Sequence, residues 1–135
     1  MSRAVNIRLF VAIVGISLAA CAGHPVQMGI YTPRPQPEAM SMVRKKVLDL
    51  GYTIEREDDA KSELVASKPL NPPVGGADRE EMKIQVAQDL TGATKVNVTV
   101  SRILPASADK PLRRVAAGSK GNADGNAVIY LFMKK

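Results

Sequence analysis

One cysteine, one histidine, no tryptophan, three tyrosines and two phenylalanines in 135 residues narrow the chemistry open to this chain. The lone cysteine, Cys21, leaves no partner for an intramolecular disulfide, so the fold must hold by packing. With His24 as the only histidine, Ser/His/Asp and Cys/His nucleophilic arrangements lack their members beyond Cys21. A zinc site, which takes about four ligands, has almost none to draw on. Only Tyr31, Tyr52, Tyr130 and Phe132 follow the cysteine, too few to build stacking platforms for single-stranded nucleic acid or sugars. The stretch GSKGNADGN at 118–126 lacks the order of a phosphate loop and the terminal glutamate of a calcium loop, and reads as flexible turns. Two acid pairs remain. Asp58-Asp59 falls in a turn, and Glu80-Glu81 straddles a strand start where neighbouring side chains diverge, so both read as solvated surface. These absences argue against an enzyme, a cofactor, a metal, a small-molecule substrate and a nucleic-acid partner.

Charge is modest. The formal balance is +6, but Arg3 and Arg8 precede every acidic residue, which leaves +4 from Cys21 onward. Apolar residues make up 45% and charged residues 24%, ordinary values for a globular domain.

What is present begins at the start of the chain. MSRAVNIR carries two arginines and no acid, and LFVAIVGISL at 9–18 is an uninterrupted apolar run. That run is half of the roughly 20 residues a membrane-spanning helix needs, and it has the layout of a secretory signal. It ends in Leu18-Ala19-Ala20-Cys21. This resembles the bacterial lipobox, in which an apolar residue, two small residues and a cysteine direct lipid attachment and cleavage. The resemblance implies a signal peptide at 1–20 and a lipidated Cys21 as the first mature residue. Ala22, rather than Asp, resembles cargo passed on to an outer membrane. Two or more acyl chains, at about 0.8 kcal/mol per buried methylene, would hold the protein stably on a bilayer.

Residues 21–36 hold Cys21 and then a stretch rich in proline without apolar periodicity. They read as a tether of polyproline-like reach, some 40–50 Å at about 3.1 Å per residue. A single domain is expected over 37–135. Pro37, Glu38 and Gly51 suit the start and stop of a helix, with Met40, Val43, Val47 and Leu50 forming its apolar stripe. Period-two patterns follow. Tyr52 and Ile54, then Leu64 and Ala66, make a hairpin around 58–62. Met82, Ile84 and Val86 alternate with Glu81, Lys83 and Gln85, and Val96, Val98 and Val100 alternate with Lys95, Asn97, Thr99 and Ser101. Leu112–Ala117 fits a short helix or an extra strand, with Pro111 and Gly118 favouring helix. The apolar run AVIYLFM at 127–133 reads as an interior strand. The predicted fold is α+β, one main N-terminal helix packed on an antiparallel sheet of about four to six strands.

In outline, a lipobox, a tether and a small helix-plus-sheet domain are similar to envelope lipoproteins of the BamC type, which accompany outer-membrane assembly machinery. The resemblance implies a lipid-anchored, periplasm-facing, non-catalytic module that docks an envelope protein by its wet sheet face or a strand edge. The alternative is a binder of anionic envelope polymer, peptidoglycan or lipopolysaccharide, through a patch of Arg44, Lys45, Lys46, Arg113 and Arg114.

Overall fold

The computed structural model of the protein describes residues 24–133; Cys21, the 1–20 segment and the terminal lysines lie outside them. Six strands and two helices run in the order β1 (Val26–Thr32), α1 (Gln36–Asp49), β2 (Thr53–Asp58), β3 (Glu63–Val74), β4 (Ala77–Gln88), β5 (Thr94–Leu104), β6 (Arg113–Ala116) and α2 (Ser119–Tyr130). Every strand pairing is antiparallel, in the sheet order β1-β5-β4-β3-β2. β6 continues the β1 side of β5, opposite Ser101–Leu104, a stretch that β1 does not pair.

The α+β class and antiparallel sheet agree with the sequence, and so does most of the alternation. Met82, Ile84 and Val86 on β4, Val96, Val98 and Val100 on β5, and Leu64 and Ala66 on β3 are buried on one face beneath the helices. α1 follows its expected pattern. Pro37 stands in its first turn with Glu38, the stripe Met40, Val43 and Val47 is buried, and Gly51 (φ +92°) takes the left-handed conformation after its end.

Four expectations are overturned. The main helix is not N-terminal, because β1 precedes it. The expected tether is partly strand: Val26, Met28 and Ile30 lean toward the covered face while Gln27 and Tyr31 are exposed, a period-two pattern hidden by its shortness and the flanking prolines. Of the two readings open for Leu112–Ala117, the strand holds: it contains β6, because the uncovered backbone of β5 offers it hydrogen bonds that an isolated turn of helix would not gain.

The run 127–133 is not an interior strand but the end of α2 and the turn after it, and 118–126 is not loop but the start of that helix. The stripe of α2 is Gly121, Gly125, Val128 and Phe132, spaced four, three and four, and all four are buried. Its first half is glycine because the helix lies almost on the sheet. A Cβ on Gly125 would stand 2.9 Å from Val100 Cγ2 and 2.6 Å from Met28 Cε, and one on Gly121 would collide with the Glu80 carboxyl. Close packing therefore outweighs the roughly 1 kcal/mol that glycine costs a helix.

The registers give the sheet two ends. Val26, Val100, Met82 and Ala66 share one level, and Thr32, Thr94 and Gln88 another. The near end, where the chain enters β1, carries the β3–β4 hairpin, β6 and the start of α2. The far end carries the β2–β3 and β4–β5 turns.

Candidate functional site

Three regions combine polar chemistry with defined geometry: a charged row under α2, the open face of the sheet, and its two free edges.

Parity turns Lys68 of β3, Glu80 of β4 and Arg102 of β5 toward the helices, and the register places them opposite one another in a single cross-strand row. Glu80 is 3% exposed, which makes its partners decisive. Tyr52, at the start of β2, donates from its hydroxyl to Asp124 Oδ2 of α2 at 3.0 Å and to Glu80 Oε1 at 3.4 Å. Lys68 Nζ donates to Asp124 at 3.2 Å and to the Leu50 carbonyl at 3.1 Å, capping the end of α1, and stands 4.6 Å from the centre of the Tyr52 ring. Arg102 Nε lies 3.8 Å from Glu80 Oε2 as an ion pair, and its guanidinium fills the space where a Cβ on Gly118 would stand. Burial, then the Asp124 and Glu80 carboxyls, push the Tyr52 hydroxyl far above its ordinary pKa, which keeps it a donor. Both helices are thereby tied to β2, β3, β4 and β5. The cluster can hold the helices in place; it presents no nucleophile beside a base.

The pattern already contained this row. Arg102 continues the inward parity of Val96, Val98 and Val100, Glu80 that of Met82 and Ile84, and Lys68 that of Leu64 and Ala66. Glu80 and Glu81 do diverge to opposite faces as expected, but neither is solvated surface, at 3% and 6% exposure. The Asp124 side of the cluster lay hidden behind the reading of 118–126 as loop.

The open face holds Glu63, Val65 and Ser67 of β3, Glu81, Lys83 and Gln85 of β4, and Asn97, Thr99 and Ser101 of β5. Glu81 receives two hydrogen bonds from Arg114 of β6, at 2.7 and 3.2 Å. Burial alone would raise the Glu81 carboxyl, but the Arg114 bonds and charge, with Lys83 and Arg79 nearby, hold it below the usual carboxylate range.

The edges differ. β2 carries Glu55, Arg56, Glu57 and Asp58 in six residues, and its register slips between Ile54 and Arg56. β1 reads VQMGIYT, seven residues without a charge, in unbroken register with β5. Among the described residues, no strand pairs the outer side of either.

The candidate basic patch is not assembled. Arg44 donates two bonds to Glu57 of β2, at 2.8 and 2.9 Å, which offsets its charge. Arg114 is paired with Glu81 on the opposite face. Lys45 and Arg113 are exposed, and Lys46 is half-buried. Cys21 lies outside the described residues, and His24 is exposed immediately before β1. Among the described residues, no three His, Cys, Asp or Glu side chains converge to hold a metal. The sequence matches no protein-family profile and no curated protein.

Proposed function

We propose that this chain is an envelope lipoprotein, anchored through Cys21 and facing the periplasm, whose domain is a non-catalytic adaptor that pairs its β1 edge with an extended segment of an envelope protein. The observation that carries the reading is the contrast between the edges. Soluble proteins blunt a free edge with charges, prolines or bulges, since an unpaired row of N–H and C=O groups is a template for another strand. β2 has the charges and the bulge; β1 has neither. Backbone pairing supplies affinity in strand addition, and alternate side chains supply choice. On β1 those are Gln27 and Tyr31 on the open face, and Val26, Met28 and Ile30 toward the helices.

The polymer-binding alternative draws less support, because Arg44 and Arg114 already spend their guanidinium groups on Glu57 and Glu81.

A photo-reactive amino acid placed in living cells at Gln27 or Tyr31, and in parallel at Glu55 or Glu57, tests the reading. The expected result is one discrete adduct from the β1 positions that survives high salt, with none from β2. Equal adducts from both edges, or none from β1, would remove its basis. In the same cells, Cys21→Ser is expected to move the protein to the soluble periplasmic fraction, and retention on the membrane would sink the anchor.

A further inference from the structure

We propose that the near end of the domain is a second membrane contact, with the tip of the β3–β4 hairpin and Leu112 resting in the interface of an anionic bilayer. The inference rests on the anchor reading above and deepens it by fixing which way the domain faces.

The distances come from the chain. Five residue steps separate Cys21 from Val26, so an anchored Cys21 stands no more than about 18 Å from the start of β1. β1 is entered from the near end. On that same side the β3–β4 hairpin runs past the level of Val26, from Met82 to Gly76, six residues or about 20 Å of strand. The hairpin thus reaches toward the near side about as far as the chain back to the anchor can. A bilayer that holds Cys21 is therefore within reach of the hairpin tip.

Its composition suits that surface. Pro69 to Ala77, PLNPPVGGA, contains no charged residue, and Val74 is 41% exposed. Leu112, in the connection leading into β6, is 39% exposed. The segments at this end also carry the exposed Lys110, Arg113 and Lys120 against Asp109, while Arg79 is paired with Asp78 at 3.5 Å. Exposed apolar groups ringed by cations are the pattern that places a surface in the headgroup region, at a depth of about 5–10 Å.

The far end also exposes a large apolar side chain, Leu90, but its setting is opposite. The turns there carry Asp58, Asp59 and Asp89 against Lys61, and Glu63 beside them is paired with Lys83 at 4.0 Å. The Thr91 hydroxyl and amide, with the Ala93 amide, donate to Asp89 and hold its carboxyl below the ordinary range. An anionic bilayer repels that end.

The chain has no tryptophan, so a single introduced indole reports its own surroundings. Val74→Trp, Leu112→Trp and Leu90→Trp are made in the full, processed lipoprotein and reconstituted into phosphatidylethanolamine–phosphatidylglycerol vesicles containing brominated lipid. The expected result is blue-shifted emission quenched about twofold or more at 74 and 112, as the interfacial depth brings the indole to the bromines. Emission at 90 is expected to stay that of an indole in water. Vesicles that carry the protein but leave 74 and 112 unquenched would overturn the orientation, and quenching at 90 would reverse it. A protein that fails to float with the vesicles would instead overturn the anchor, and the orientation with it. Circular dichroism unchanged from the parent shows that each variant is folded.

Discussion

The two faces of this sheet are written in the same residues, alternately, and they follow different rules. On the covered face Met82, Ile84, Val86, Val96, Val98 and Val100 are fully buried, and the charged row there, Lys68, Glu80 and Arg102, lies beneath Tyr52, Asp124 and the start of α2. On the open face Lys83 and Gln85 are exposed, and Arg114 and Glu81 meet at its β6 side. The first face has almost no freedom to change. The second is mixed: Val65, Ser101 and Ile103 are buried there too, and the exposed positions between them, such as Lys83 and Gln85, can vary with little cost to the fold. The apolar core is built from the even positions of these strands, and the exposed polar side chains from the odd ones.

The largest effect that sharpens this division is expected from Ile84→Ala. It removes a fully buried side chain facing the helices and should cost about 2–5 kcal/mol in urea unfolding. Its neighbour Lys83→Ala, one residue along and facing outward, should stay within about 0.5 kcal/mol of the parent. If the two variants were equally destabilised, the division between faces would be lost. A smaller effect, about 1–3 kcal/mol, is expected from Gly125→Ala. Its methyl meets the stiff Val100 side chain, and the overpacking exceeds the helix propensity gained. A rise in the thermal midpoint would mean that α2 moves off the sheet freely, and that close approach is not what holds glycine there.

Much of the covered face was legible in the sequence, because period two in 81–86 and 95–101 is long and regular enough to set both the strands and their facing. α1 was legible for the same reason at period 3.6. β1 and α2 were not. In β1, Gly29 interrupts the outward series and three prolines follow within five residues of Thr32, so the alternation reads as linker. In α2 the apolar stripe begins as Gly121 and Gly125, residues that carry no hydrophobic signal, and only contact with Met28, Val100 and Glu80 explains them. Arg102 lies between these cases. Its inward parity was visible, and so was that of its partner Glu80, but Gly118, against which its guanidinium packs, caps the helix that the sequence concealed. At 44–46 the spacing displays the charges, and only the fold shows that Arg44 is paired with Glu57.

The smallest effect concerns the polar pair at the border of the open face, and its size depends on pH. Glu81 is held below the usual carboxylate range, so its pairing adds stability that is full above the unfolded value of about 4.3 and is lost as pH falls through the lower folded value. Arg114→Ala removes the two donors and the side chain that covers the carboxyl, so the depression weakens and the folded pKa rises toward the unfolded value. The linkage flattens. In the parent, the unfolded state takes up this proton first, and stability declines on acidification by at most about 1.4 kcal/mol per pH unit for that proton. In the variant the two states take it up at closer pH values, so less stability is lost on acidification. Urea midpoints followed from pH 7 to about pH 3 should therefore converge, the two proteins differing most at neutrality. Curves that stay parallel over the whole range would show that Arg114 contributes packing alone, and that the charge of Glu81 does not matter to the fold.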